Sequence, residues 1–242
     1  MIGRRPVSAL PLLGAVLRYL IAAMAGLIAY DAAAQTGASV TLVSDYRFRG
    51  VSLSGKRPAL QTNLEQDFDN GWYAGLFASS ARIDEDGSGS AQVESHAGYS
   101  RRLHSGWSWD GGASLSVFPH DASYNYGEIF TGLATENFSG KLYFSPNYFG
   151  RNVRTLYAEL NDSYSLRKHV RLFGHLGFLC PLAGAGTTAS SKGRTDVQLG
   201  VRYTHTEWSV QASWIGSSGQ YPKYPYAGRN RNATVLSVSY FY

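Results

Sequence analysis

The stretch TVLSVSYFY (Thr234–Tyr242) decides the fold. Every second residue back from Tyr242 is Tyr240, Val238, Leu236 and Thr234, and between them lie Phe241, Ser239, Ser237 and Val235. Alternation of period two marks a strand with one apolar and one polar face. Termini usually fray into water, so a terminal strand with no polar tail needs a partner. We expect it to pair with the first strand and close a barrel, which leaves no sheet edge unpaired.

The other end of the chain has a different character. Arg4, Arg5 and Arg18 make a basic start, Tyr19–Tyr30 is a short apolar run, and Ala32-Ala33-Ala34 offers a small-residue cleavage site. This is the pattern of a secretory signal peptide over residues 1–34, leaving a barrel domain over 35–242. The apolar run falls short of the ~20 residues of a spanning helix. The full chain holds 22 Lys+Arg and 17 Asp+Glu; removing Arg4, Arg5, Arg18 and Asp31 leaves 19 against 16. So slight a surplus does not describe a nucleic-acid partner. A single cysteine, Cys180, excludes a disulfide scaffold.

Between the leader and the last strand, the alternation recurs in segments of about ten residues separated by turn signals. In "VTLVSDYRF", Val40, Leu42, Tyr46 and Phe48 share one face, against Thr41, Val43, Asp45, Arg47 and Arg49. "ALQTNLEQDF" sets Leu60, Leu64 and Phe68 against Gln61, Asn63, Glu65 and Asp67. "WSWDGGASLSV" sets Trp107, Trp109, Ala113, Leu115 and Val117 against Ser108, Asp110, Ser114 and Ser116. "KLYFSPNYF" is interrupted by Pro146, which suggests a bulge or short edge segment. The full pass gives about twelve strands, an even number, as expected of an all-β, transmembrane, antiparallel up-and-down barrel with both termini periplasmic. Even-to-odd connections such as "DNG" and "HSG" are short; odd-to-even ones such as "CPLAGAGTTASSKGR" are long.

Aromatics supply a second line of argument. Trp72, Tyr99, Trp107, Trp109, Tyr164, Tyr203, Trp208, Tyr240 and Tyr242 all fall at the expected periplasmic strand ends. Lipid-facing aromatics collect at membrane interfaces. A soluble sandwich or lipocalin-like barrel would also alternate, but needs no such band. The cell outer membrane is therefore the expected location, with lipid and lipopolysaccharide as neighbours. The terminal aromatic Tyr242 also resembles the signal read by the outer-membrane barrel assembly machinery.

"SDYRFRGVSLSGKRPALQ" (Ser44–Gln61) resembles the opening motif of the TorF-type porin family of proteobacteria, also catalogued as conserved hypothetical proteins. "GWYAGLFAS" (Gly71–Ser79) and "LYAEL" (Leu156–Leu160) are similar to the same family. The resemblance implies an outer-membrane barrel of unassigned substrate and carries no catalytic residues.

Chemistry in such a barrel belongs to its lumen. The expected pore-lining residues are Arg47, Arg49, Glu65, Asp67, Glu94, Arg102, Glu159, Arg171, Asp196 and Arg202, with Asp45, Asp110, Glu128, Lys141, His96 and His175 on the same face. These charges could line a narrow aqueous pore and tune its selectivity. They could equally pair and brace the wall. Arg47 and Arg49 are expected near the outer end of strand one, beside Lys56 and Arg57. Outer loops count Lys56, Arg57, Arg151, Arg154, Lys192, Arg194, Lys223, Arg229 and Arg231 against Asp84, Glu85, Asp86 and Asp121. A basic mouth concentrates anions, or neutralises lipopolysaccharide phosphates. The expectation is a passive channel for small, anionic solutes; the alternatives are a non-conducting structural or adhesive barrel and an outer-membrane hydrolase. A hydrolase needs Ser, His and an orienting partner together, and neither that set nor G-x-S-x-G is evident, so no enzyme is expected. The six histidines are scattered, and no metal or other cofactor is expected. No apolar patch stands out to fix an oligomeric state.

Overall fold

A computed structural model describes residues 34–82, 90–182, 193–218 and 232–242. The expected leader up to residue 33, and parts of three long loops, lie outside the described residues. Residues Gln35–Tyr242 form one compact unit.

The strands are β1 (Ala34–Val43), β2 (Arg47–Phe48), β3 (Val51–Ser52), β4 (Ala59–Phe68), β5 (Trp72–Ala81), β6 (Ser90–Arg102), β7 (Ser108–Val117), β8 (Tyr126–Ala134), β9 (Phe138–Ser145), β10 (Thr155–Arg167), β11 (Val170–Pro181), β12 (Arg194–His205), β13 (Trp208–Ser218) and β14 (Asn232–Phe241). Among the described residues, β1 and β4–β14 make one closed, antiparallel, twelve-stranded barrel in sequence order, and β2 pairs only with β3. The closing seam is the one the C-terminal alternation requires. Val43 faces Ser237, Thr41 faces Ser239 and Ser39 faces Phe241 across β1 and β14. The last amide, on Tyr242, donates to the Ala38 carbonyl at 2.9 Å. A closed ring satisfies every strand edge internally, which a barrel in hydrocarbon must do.

Ala34 and Tyr242 lie at one end of the barrel, called here the terminal end. Connections there run from two residues (206–207) to five (103–107); those at the opposite end, the mouth, run from eight to fifteen. Outward residues are apolar and exposed along the whole wall: Leu42, Leu60, Leu115, Ile129, Leu160, Leu176, Leu199 and Leu236. The aromatic band is present at the terminal end. Trp72, Trp109, Tyr164, Tyr203, Trp208 and Tyr242 are all exposed, and Trp72–Tyr99 and Trp208–Tyr240 pack ring against ring at 5.5 and 4.7 Å.

Two expectations are corrected. The first strand is β1 over 34–43, so Tyr46 and Phe48 do not continue its outward face. Tyr46 is buried, and Phe48 packs on the cluster that fills the mouth. Strand β9 stops at Ser145, directly before Pro146, whose missing N–H cannot continue the ladder. The register of β9 on β10 runs without a shift from Phe138↔Asp162 to Ser145↔Thr155.

The mouth is where the molecule departs from a hollow tube. Leu53, Phe118, Tyr148, Phe149 and Tyr157 are nearly fully buried and form one apolar core inside the ring. Each such side chain contributes about 1.5–3 kcal/mol on leaving water. This core holds the segment from Ser44 to Ser54 inside the barrel.

Candidate functional site: a lumen spanned by a hairpin

After β1 the chain turns inward rather than continuing outward. Strands β2 and β3 form a two-residue hairpin with Arg47 opposite Ser52 and Phe48 opposite Val51. Its central residues, Arg49 and Gly50, have φ of 48° and 75°, as a two-residue primed turn demands. Glycine is required at the second position for space as well. A Cβ on Gly50 would sit 2.8 Å from both Asp196 Cβ and Ser217 Cβ on the far wall.

Asp45 organises the hairpin base. Its carboxylate accepts from Ser52 Oγ at 2.5 Å and from Arg47 Nε at 2.8 Å, while Arg47 Nη1 donates to the Gly50 carbonyl at 2.9 Å. Tyr46 OH donates to Gln92 Oε1 of β6 at 2.8 Å. Burial, together with the nearby Glu94, holds the Tyr46 phenol protonated far above its usual range. At the tip, Arg49 donates through Nη1 and Nη2 to the two carboxylate oxygens of Glu128 on β8, at 2.9 and 2.7 Å. Its guanidinium lies 4.0 Å from the ring centroid of Tyr157 on β10 and 4.8 Å from that of Phe48. The hairpin thus reaches β6, β8, β10, β12 and β13 and spans the lumen.

Below the hairpin tip lies a cavity of about 240 Å³. Arg47, Arg49, Glu94, Glu128, Tyr143, Tyr157, Glu159 and Asp196 line it. A second cavity of about 300 Å³, lined by Asn161, Phe173, Arg202 and Gln211, continues toward the terminal end. The two share His175 and Gln198 as lining residues. The His175 ring is fixed there by Asp196 Oδ1 at 2.9 Å from Nε2 and Asn161 Oδ1 at 2.7 Å from Nδ1. Tyr157 OH donates to Asp196 Oδ1 at 3.2 Å.

The remaining expected residues occupy the same inward face. Glu65 meets His96 at 3.0 Å, and Lys141 Nζ reaches Asp110 Oδ2 at 2.8 Å. Glu94 accepts from Ser116 Oγ at 3.0 Å, and Glu159 from Tyr143 OH at 3.2 Å. Arg202 donates to Gln211 Oε1 through Nε and Nη2, at 3.1 and 2.9 Å, and lies directly across the sheet from Arg171. Asp67 and Arg102 are exposed near the terminal end. Among the described residues, no three His, Cys, Asp or Glu side chains gather as a metal site.

Several placements differ from expectation. Arg47 and Arg49 are not on a barrel strand; they belong to the inward hairpin, with side chains 1% and 7% exposed. Arg194, counted among loop bases, is buried at the start of β12 with Nη2 on Ser217 Oγ at 3.0 Å. Lys192, Lys223, Arg229, Arg231, Asp84, Glu85 and Asp86 lie outside the described residues. Sequence reasoning missed the aromatic cage around Arg49. Its available signal was Tyr143 and Tyr157 on inward positions of strands whose other inward residues are small or polar.

With this geometry in view, comparison with solved structures is informative about the fold. The chain is similar to a KdgM porin, with a TM-score of 0.55 and 15% identity over 84% of this chain and 98% of that one. It is similar to a NanC porin, with a TM-score of 0.54 and 15% identity over 84% and 98%. A KdgM porin in complex with disordered oligogalacturonate gives a TM-score of 0.51 at 14% identity over 85% and 97%. The barrel is therefore the fold of outer-membrane porins. Among curated proteins, none matches the chain significantly. A family model described as "Bacterial protein of unknown function (Gcw_chp)" matches residues 29–240, and the chain belongs to that family.

Proposed function

We propose that the protein is a porin of the cell outer membrane, a narrow passive channel for small solutes, with both termini in the periplasm. The observation that carries this reading is the pair of polar lumenal cavities that share His175 and Gln198 inside an outwardly apolar, aromatic-banded barrel. Twelve strands lie between small barrels filled by side chains and the wide sixteen-stranded channels. The hairpin narrows the lumen further. The TorF-type naming suggested by Ser44–Gln61 fits the same function. Lipopolysaccharide phosphates are the natural partners of exposed mouth bases such as Lys56 and Arg57, and Tyr242 that of the assembly machinery.

The expected preference for anions took its support from the basic outer loops, with Arg47 and Arg49 expected beside them. Both guanidiniums are engaged by carboxylates, Asp45 and Glu128. What remains for an anion is Lys56 and Arg57 at the mouth and Arg102, Arg171 and Arg202 toward the terminal end, all of them exposed. A second reading, a closed barrel with a structural or adhesive role, is favoured by the same hairpin, because it touches walls on opposite sides of the lumen. Swelling of proteoliposomes in sugars of graded size separates the two. A porin admits the smallest solutes and excludes larger ones; a closed barrel admits none.

A further inference from the structure

We propose that the upper cavity makes this pore cation-selective, and that the Glu94 and Glu159 carboxylates set the sign of the solute that passes. The inference rests on the porin reading.

The charges facing that cavity do not cancel. Arg47 is matched by Asp45 and Arg49 by Glu128, with all four side chains 7% exposed or less. Asp196 shares His175 and Tyr157. Glu94 and Glu159 have no cation bound to them: His96, two residues along β6 from Glu94, is held by Glu65, and Lys141, opposite Glu159 in register, is held by Asp110. Their donors are neutral: Ser116 for Glu94, and Tyr143 and Asn161 for Glu159. Among the described residues, no Lys, Arg or His nitrogen comes within ion-pair distance of either carboxylate. Paired charges present dipoles to a passing ion, whereas unmatched ones present a net field. Two unmatched carboxylates in one enclosed cavity lower the energy of a cation and raise that of an anion.

A second observation concerns the aromatic lining of the same cavity. The cavity already receives a cation from the chain itself. The Arg49 guanidinium lies 4.0 Å from the Tyr157 ring centroid and 5.1 Å from that of Tyr143. Aromatic faces favour positive charge, and these two rings line the space a solute must cross.

The opposing bases are less well placed. Arg202 lines the cavity at the terminal end, Arg171 is its neighbour in register on β11, and both are exposed. Lys56 and Arg57 at the mouth are open to bulk water in the same way. Exposed charge is screened within about 8 Å at physiological ionic strength. Charge within low-dielectric walls is screened far less, so the narrow cavity dominates the selectivity.

The test is the reversal potential of single channels in a potassium chloride gradient. The protein is purified from membranes of cells expressing the full chain, with heat-dependent gel mobility confirming a folded barrel. The expected wild-type result is a several-fold preference for potassium over chloride, falling to about equal permeability in the Glu94→Gln, Glu159→Gln double variant. Both substitutions keep the shape and leave an oxygen to accept from Ser116 and Tyr143. Chloride preference in the wild type overturns the proposal. Potassium preference that survives the double variant overturns the assignment to these two carboxylates. Folded, inserted protein that gives no channels overturns the porin reading itself, an outcome distinct from channels of the wrong sign.

Discussion

Arg49 on the hairpin tip and Glu128 on β8 are joined by two parallel hydrogen bonds, of 2.9 and 2.7 Å, inside the barrel. The pair ties the first loop to the wall from within. It also fixes a non-glycine residue at a φ of 48°, a conformation that costs on the order of 1 kcal/mol and persists only when its surroundings enforce it.

Removing one partner leaves the other charge buried without compensation. Arg49→Met is expected to destabilise the barrel by about 3–5 kcal/mol, whereas the double variant Arg49→Met, Glu128→Gln costs less than either single change. Urea unfolding of the four proteins of the cycle in detergent measures this. A double variant as unstable as the sum of the singles would show that the pair is not coupled.

Gly50 approaches the opposite wall too closely to carry a side chain. Gly50→Val is expected to dislodge the hairpin tip while leaving the strands intact. Limited proteolysis should then cut within residues 44–58 at a rate well above wild type, with the barrel core resistant.

The outward and inward faces differ in what they tolerate. Leu176 is outward and 48% exposed, at the middle of β11. Leu176→Arg is expected to cost about 2–4 kcal/mol in a bilayer. Asp67→Arg, on the inward face and exposed near the terminal end, should cost little. Folding titrations into phospholipid vesicles compare the two directly, and equal costs would contradict the assignment of faces.

Deleting Tyr242 removes one backbone hydrogen bond, from its amide to Ala38, and one ring of the Tyr240–Tyr242 contact. Refolding into detergent should be nearly unchanged. Accumulation in the outer membrane of cells is expected to fall several-fold under the proposal that the assembly machinery reads this residue. Equal loss in both assays would assign Tyr242 a structural role alone.

The barrel was legible in the sequence because each of its signals is local. Trp107, Trp109 and Leu115 alternate with Asp110 and Ser114 within a single strand, and the two-residue period needs no knowledge of neighbours. Pro146 likewise announced an interruption and marks a strand end. The hairpin was harder to read. "YRFRGV" continues the alternation of β1, and Arg-Gly is a weaker primed-turn signal than Asn-Gly or Asp-Gly. What turns the segment inward is long-range: Glu128 and Gln92 as partners for Arg49 and Tyr46, and the aromatic core around Phe149. For the same reason the charge of the lumen could be counted from the sequence but not apportioned. The pairings Arg49–Glu128 and Arg47–Asp45 depend on where the hairpin lies, and they determine which acids are left facing the cavity.

The most direct test of the central claim, a narrow pore constricted by the hairpin, is single-channel conductance in a planar bilayer, with wild type and Arg49→Ala compared side by side. The account predicts small discrete steps for the wild type and larger ones for Arg49→Ala, whose hairpin has lost its anchor on Glu128. Conductance steps of equal size would show that the hairpin does not constrict the path. The absence of steps from both proteins, when folded and inserted, would contradict the pore.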